Sequence, residues 1–337
     1  MEICNNVHST NLVEFAKDRP ELVVFSGDLT GSTEISLFRD TYPDRFFSLG
    51  MAEQNMLSWA GGLAREGYVP YLHTFAVFMY RRPYDQLAMS VAYPNQKVRL
   101  VGFLPGIMTP GGVTHQAIED LAVLRGMPNM TILEVGDATD IESVLDIAHP
   151  IDGPVYIRML RKTVPRLFPA TERMVFNQAR ILSQGTDLTL ISTGICTEES
   201  MRATEILKRK GVSITHLHVS TIKPFSDPTV LEALTKPKYG VITMENHNII
   251  GGVGTAVAEM MAENGIGKKL YRIGIPDTWA HGAEARYLMR EYGLDAIAIV
   301  RKVEEILGTE FGISEDDLTA VRLEEAFSLS VEQLEAL

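Results

Sequence analysis

Only two cysteines occur in 337 residues, Cys4 and Cys196. They lie far apart and outside any Cys-x-x-Cys or Cys/His spacing, which excludes a disulfide framework and a structural zinc site and fits a reducing compartment. The chain also lacks an uncharged apolar run approaching the roughly 20 residues that span a bilayer. Met1 to Lys17 has no basic start followed by an apolar stretch, so no secretory signal is read and a cytoplasmic location is expected. Basic residues are in deficit: 31 Lys and Arg face 43 Asp and Glu, a net charge of −12 that repels a polyanion. Membranes and nucleic acids are thereby set aside as partners. No repeat or low-complexity tract is present, and a core of this size needs no metal or disulfide staple.

What is present is alternation. Short β-branched or aromatic runs alternate with longer segments of helical period, the pattern of an α/β fold in which helices cover both faces of a mostly parallel sheet. Expected strands are Leu22 to Ser26, Arg45 to Leu49, Tyr68 to His73, Val98 to Phe103, Thr131 to Val135 and Val155 to Arg158. Helices are expected near Val7 to Lys17, Ala52 to Arg65, Ile118 to Arg125 and Ile141 to Ala148. A turn-rich, charged stretch around Pro165, Pro169 and Gly185 then interrupts the pattern. The alternation restarts with strands at Leu188 to Ser192, Ser213 to Leu217, Val241 to Met244 and Leu270 to Ile273. Two α/β domains are therefore expected, at residues 1–165 and 188–308, with a linker over 166–187. An acidic helical extension follows at 309–337, where Ser330 and Gln333 are spaced as a capping box.

Ligands of open α/β sheets bind beyond the carboxyl ends of the strands, and three segments there are unusual. Gly50-Met51-Ala52-Glu53-Gln54-Asn55-Met56 places a carboxylate in the first turn of a helix, where the helix N-terminus favours negative charge by about 0.3–1 kcal/mol. Taken alone, it is an ordinary first-turn acid. The stretch from His73 to Gln86 carries Phe75, Phe78, Tyr80 and Tyr84, suited equally to a core stripe or to stacking on a planar heterocycle. The third segment, Gly106 to Gln116, is glycine-rich and ends Thr114-His115-Gln116, with His115 able to carry a proton or donate to a substrate oxygen. A lone loop histidine is more often neither.

Together, in this order, these segments resemble the pyrimidine-binding half of transketolase. The resemblance takes in Ser26-Gly27-Asp28-Leu29-Thr30-Gly31-Ser32, Ala52-Glu53-Gln54-Asn55-Met56, Thr74-Phe75-x-x-Phe78, Thr114-His115-Gln116 with Glu119-Asp120, and Tyr156-Ile157-Arg158. Thr221-Ile222-Lys223-Pro224 and Glu245-Asn246-His247 with Gly251-Gly252-Val253-Gly254 are similar to the family's C-terminal domain. The resemblance implies thiamine diphosphate as cofactor, held between two polypeptides, and transfer of a two-carbon ketol unit between sugar phosphates. It gives Glu53 the role of hydrogen-bonding N1′ of the aminopyrimidine, and a carboxyl in an apolar pocket suits proton sharing of that kind. Phe75 and Phe78 would line that ring, with Asp28 and Leu29 also beside the cofactor. His115 would contact the sugar hydroxyls, Ser32 and Arg158 the substrate phosphate, and His73 is a further substrate-binding candidate.

Departures from the family pattern carry information too. Phe103 and Gly111 stand where the family has a histidine and an aspartate that contact the sugar, and Asn5 stands near the place of an arginine. A branched or shortened sugar phosphate is inferred. The family's magnesium-binding Gly-Asp-Gly motif with its downstream Asn has no counterpart: Gly27-Asp28-Leu29 with Asn55 is read as coincidence. This chain is therefore expected to contribute no metal ligand and to need a separate N-terminal transketolase subunit, in an α2β2 assembly, that binds Mg2+ and the diphosphate. Two alternatives remain open: the β-type subunit of a 2-oxo acid dehydrogenase first component, and a non-catalytic scaffold. Similarity to the corresponding half of deoxyxylulose-phosphate synthase is present at Tyr84-Asp85-Gln86 and Leu294-Asp295-Ala296.

Overall fold

A computed structural model describes residues 2–319. The capping box at Ser330 and Gln333 and most of the expected helical extension lie outside the described residues. In chain order the strands are β1 (Glu2–Asn5), β2 (Leu22–Ser26), β3 (Phe46–Ser48), β4 (Val69–Phe75), β5 (Arg99–Phe103), β6 (Thr131–Glu134) and β7 (Val155–Met159). They continue as β8 (Thr163–Arg166), β9 (Arg180–Ser183), β10 (Leu188–Ser192), β11 (Ile214–His218), β12 (Thr221–Lys223), β13 (Gly240–Asn248) and β14 (Leu270–Ile275). No helix among the described residues is long and apolar enough to cross a membrane.

Seven strands form the first sheet in the order β12-β6-β7-β5-β4-β2-β3, and five form the second in the order β14-β13-β10-β11-β9. Each is parallel except for one edge strand, β12 against β6 and β9 against β11. Every residue of β2, β4, β5, β6 and β7 is buried, as parallel strands covered on both faces must be. Burying each large aliphatic side chain stabilises the fold by about 1.5–3 kcal/mol. By the same logic, any polar side chain within these strands has to find a partner indoors.

The expected α/β class and alternation hold, with two corrections. Thr221–Lys223, read with the second domain, is an edge strand of the first sheet. Arg180–Ser183, read as linker, is an edge strand of the second. Both are short, and each sits at an edge where apolar periodicity is weakest.

Chain order fixes where a ligand crevice forms. From β2 the chain steps outward to β3, then crosses back to β4 on the opposite side of β2. This reversal opens a crevice at the carboxyl ends of β2 and β4. The helix Glu53–Arg65 begins just after β3, and β4 leads directly into the helix Ala76–Tyr80.

Candidate active site

Glu53 is the first residue of its helix and only 2% exposed. Gly27, leaving β2, keeps the space beside it open: a Cβ there would stand 3.2 Å from Thr74 Oγ1 and 3.8 Å from Glu53 Oε1. Thr74 Oγ1 is buried without a hydrogen-bond partner. Phe75 ends β4, and its ring stacks with that of Phe78 at 6.0 Å and 24°. Between carboxylate and ring lies a guanidinium. Arg82 Nη1 donates to Glu53 Oε1 at 2.8 Å, and the Arg82 guanidinium carbon sits 3.8 Å from the Phe78 centroid. A flat, N–H-bearing group thus already occupies the slot between a buried carboxylate and an aromatic face.

His115 enters from the loop after β5, through the single 3-10 turn Gly112–Thr114. Its ring meets Phe78 edge-on at 5.4 Å and Phe75 at 6.4 Å, and its Nδ1 is 2.8 Å from Thr114 Oγ1. Glu53, Phe75, Phe78 and His115, read from three separated segments, therefore converge. Asp28, exposed, and Leu29, half-buried, occupy the turn out of β2, with Asp28 in the left-handed region at φ 63°.

Arg161 is the residue that sequence reasoning missed. It is 9% exposed, and its guanidinium carbon lies 5.5 Å from the Phe75 centroid. Nη1 donates to the carbonyl of Ser32 at 2.8 Å, while Nε and Nη2 are buried without partners. Burial lowers its pKa to about 10, opposed only by Glu34, whose own carboxylate accepts from the Lys162 amide. Ser32 is thus beside a cation with open guanidinium nitrogens.

Two expectations are corrected. Arg158 is fully buried and turned away from this cluster: Nε donates to Asp120 Oδ2 at 2.9 Å, Nη1 to Glu134 Oε1 at 2.5 Å and Nη2 to the Asn246 carbonyl at 3.0 Å. Each of its guanidinium nitrogens is engaged inside the protein rather than facing the crevice. His73 is likewise interior, its Nε2 3.0 Å from His8 Nε2 and its Nδ1 3.2 Å from the Tyr71 carbonyl. Burial pushes His8 down to about 3 and His73 well below the usual histidine value, so both rings are neutral and one nitrogen of the pair carries the shared proton. Both rings pack against Phe103. The signal that could have found Arg161 is register: Arg158 lies inside β7, whereas Arg161 lies beyond its carboxyl end, where ligands bind.

Comparison with known proteins fits this arrangement. Residues 5–166 match the family model described as the transketolase pyrimidine binding domain, and residues 177–299 match the transketolase C-terminal domain. A Methanocaldococcus jannaschii protein, provisionally named a transketolase C-terminal section, is 38% identical over 90% of this chain and 96% of its own. A 6-deoxy-6-sulfo-D-fructose transketolase subunit of Clostridium sp. (strain MSTE9) is 36% identical, covering 88% of this chain and 91% of that protein. Among solved structures, a split gene transketolase described as an inactive beta4 tetramer superposes with a TM-score of 0.82 at 33% identity. That match covers 90% of this chain and 97% of the other.

Proposed function

This chain belongs to the transketolase family, and on that premise we propose that it is the pyrimidine-binding subunit of a two-chain, thiamine-diphosphate-dependent transketolase. One observation carries the reading: the slot in which a planar N–H donor lies on Phe78 and bonds to the buried Glu53 carboxylate. An aminopyrimidine has the same flatness and the same kind of donor edge, and the unpartnered Thr74 hydroxyl leaves a further polar contact open. The residues present fit the group. When bound, thiamine diphosphate supplies a nucleophilic carbon and an electron sink for breaking and remaking the bond next to a ketose carbonyl.

The chain's own residues have distinct tasks. Glu53 would hold the ring through a proton shared at its Oε1, and Phe75 and Phe78 would fix the plane of that ring. His115, edge-on to both phenylalanines, orients the sugar through its hydroxyls. Arg161 receives the anionic end of the sugar with its two open nitrogens, Nε and Nη2, a geometry suited to phosphate or sulfonate oxygens. Asp28 and Leu29 line the cofactor side of the crevice, and Ser32 the substrate side.

The diphosphate and its Mg2+ belong, in this proposal, to a separate N-terminal subunit in an α2β2 assembly. An exposed apolar face beside Glu53 supports a partner there: Met51 and Trp59 stand out of the Glu53 helix and its approach, and Met89 and Tyr93 out of the neighbouring π-helical segment. Large exposed apolar patches mark interaction surfaces. The substrates are proposed to be ketose and aldose phosphates of branched or shortened type.

Reconstitution tests the proposal. The chain mixed with a partner bearing the diphosphate-binding domain, thiamine diphosphate and Mg2+ is expected to transfer ketol units between sugar phosphates, and Glu53→Ala to abolish turnover while assembly persists. Full activity from this chain alone removes the partner, and near-wild-type rates for Glu53→Ala remove the role of Glu53. Release of CO2 from a 2-oxo acid by the assembled enzyme transfers the reading to the dehydrogenase class.

A further inference from the structure

An inner strand of the second sheet reaches the loop that leads into the first domain's site. Strand β13 runs four residues past its register with β10, which ends at Ser192 opposite Met244. The overhang is Glu245-Asn246-His247-Asn248, polar and almost wholly buried. Glu245 stays home, accepting from Val253 N at 2.6 Å and Gly254 N at 2.9 Å at the start of the helix Val253–Glu263. Asn246 does not. Its Oδ1 accepts from Ile107 N at 3.0 Å and its Nδ2 donates to the Pro105 carbonyl at 3.0 Å.

Those two groups form the base of the loop that carries His115. The backbone there is left-handed at Leu104 (φ 55°), a conformation that persists in a non-glycine residue only where surroundings impose it, and again at Gly106 (φ 65°). Gly106 is required: a Cβ would stand 2.1 Å from Asn246 Oδ1. The loop closes on itself through Gly106 N to the Ala117 carbonyl at 2.8 Å. Near the loop's far end the second domain touches it again. Gln116 Nε2 donates to the carbonyls of Thr109 and His281, both at 3.2 Å, and Gly282 lies backbone to backbone against Pro110 and Gly112. The first domain restrains the loop through Arg81, whose Nη1 donates to the Val113 carbonyl at 2.7 Å and Nη2 to the Gln116 carbonyl at 3.2 Å.

We propose that Asn246 is a positioning residue: through Pro105 and Ile107 the second domain sets the loop that holds His115 against Phe75 and Phe78. The role needs a side chain that donates and accepts at once, which Asp and Ala cannot do. The inference rests on the reading of His115 as a substrate contact, but its test does not.

Hydrogen exchange on the full chain without partner or cofactor reads the loop directly. Asn246→Ala is expected to speed exchange across residues 104–117 by about tenfold, because two buried backbone groups lose their partners. Asn246→Asp keeps the acceptor for Ile107 N but turns an oxygen toward the Pro105 carbonyl, so it is expected to loosen the same segment. Asn264→Ala, which removes a bond to the Met260 carbonyl at the end of the helix Val253–Glu263, is the control and leaves the loop unchanged. The His115 ring resonances should shift in the Asn246 variants, as the ring leaves the Phe78 edge. In the reconstituted enzyme, kcat is expected to fall by about 100-fold with half-saturation by thiamine diphosphate unchanged. Should Asn246→Ala not fold, Gln116→Met loosens the same loop from its other end. Exchange that rises evenly over both sheets, or not at all in 104–117, overturns the proposal. A loosened loop in a chain that no partner renders active leaves the positioning intact and removes the functional reading. An active enzyme whose Asn246 variants keep a rigid loop does the reverse.

Discussion

Arg158 and Arg161 sit three residues apart, both buried, and the chain treats them in opposite ways. Arg158, inside β7, gives each guanidinium nitrogen a partner, and it ties the first sheet to the second: Glu134 lies in β6, Asp120 starts the helix Asp120–Arg125, and the Asn246 carbonyl lies in β13. Burial disfavours its charge, but those two carboxylates more than reverse the effect and raise its pKa above the ordinary arginine value. Arg161, past the strand end, bonds only to the Ser32 carbonyl and keeps two buried nitrogens open beside Phe75. A complete network holds a fold together. An incomplete one, in a crevice, is a cost that persists where a ligand completes it.

The largest expected effect comes from breaking the complete network. Arg158→Ala leaves Asp120 and Glu134 buried without their cation, and removal of one partner from a buried pair costs about 3–5 kcal/mol. Denaturant unfolding of the full chain measures it, and a loss below about 1 kcal/mol would mean that the joint is not held by these charges. Arg161→Ala should do the opposite. Stability stays within about 1 kcal/mol, because an under-paired buried charge is removed. In the reconstituted enzyme, kcat/KM for an anionic acceptor falls about 100-fold, or about 2.7 kcal/mol, the worth of one or two charge-assisted hydrogen bonds. A small neutral acceptor such as glycolaldehyde supplies the control: an equal loss with it would show that Arg161 does not read the anion.

The same contrast explains what the sequence makes legible. Alternation of apolar runs gave the α/β class, most strands of both sheets and the helix after Glu53, because parallel strands buried on both faces leave an unbroken apolar signature. The four converging residues were legible through the resemblance to transketolase, carried by segments at or just past the carboxyl ends of strands. Short edge strands such as Thr221–Lys223 carry too few buried positions to be seen, and their sheet is decided by contacts distant in sequence. Arg158 misled because a motif match marks a segment without saying which side chain faces the crevice. The polar overhang of β13 was hidden for a related reason: Glu245, Asn246 and His247 are buried by contacts distant in sequence, the helix Val253–Glu263 for Glu245 and the loop after β5 for Asn246, which hydropathy cannot anticipate.

Closed regions also hold neutral histidines, and pH distinguishes them from the open crevice. Burial lowers His8 and His216 to about 3 and His247 to about 4, and holds His73 well below its usual value. For rings whose folded pKa lies below the unfolded 6.5, stability is full above pH 6.5 and drains as pH falls toward the folded value. At pH 5 each ring accounts for a loss of about 2 kcal/mol. Glu245 runs the other way. Burial raises it to about 7, so its contribution is lost as pH rises through 7 and regained on acidification, offsetting about one ring. Urea unfolding at pH 7.5 and pH 5 should therefore show a net loss at the lower pH, and His8→Gln, which keeps a hydrogen-bonding partner for His73, should flatten the slope by about one proton. Equal stability at both pH values would mean that these rings accept protons inside the fold.

The smallest effect is expected at Arg82, which makes the crevice look more complete than it is. Its guanidinium satisfies Glu53 and covers Phe78, yet its side chain is 44% exposed while that of Glu53 is 1% exposed. Contact with the ring and a half-solvated ion pair are together worth about 1 kcal/mol. If that guanidinium occupies the place of the cofactor ring, Arg82→Ala removes a competitor, and half-saturation by thiamine diphosphate in the assembled enzyme should fall by up to about fivefold. Arg82→Lys, with charge but no plane to lay on Phe78, should fall between. Weaker binding in Arg82→Ala would reverse the assignment: the arginine would then be a holder of the bound ring, swinging aside while keeping Glu53 aligned. Either result separates Arg82 from Arg161, because losing a displaceable cation acts on the cofactor and losing an open one acts on the substrate.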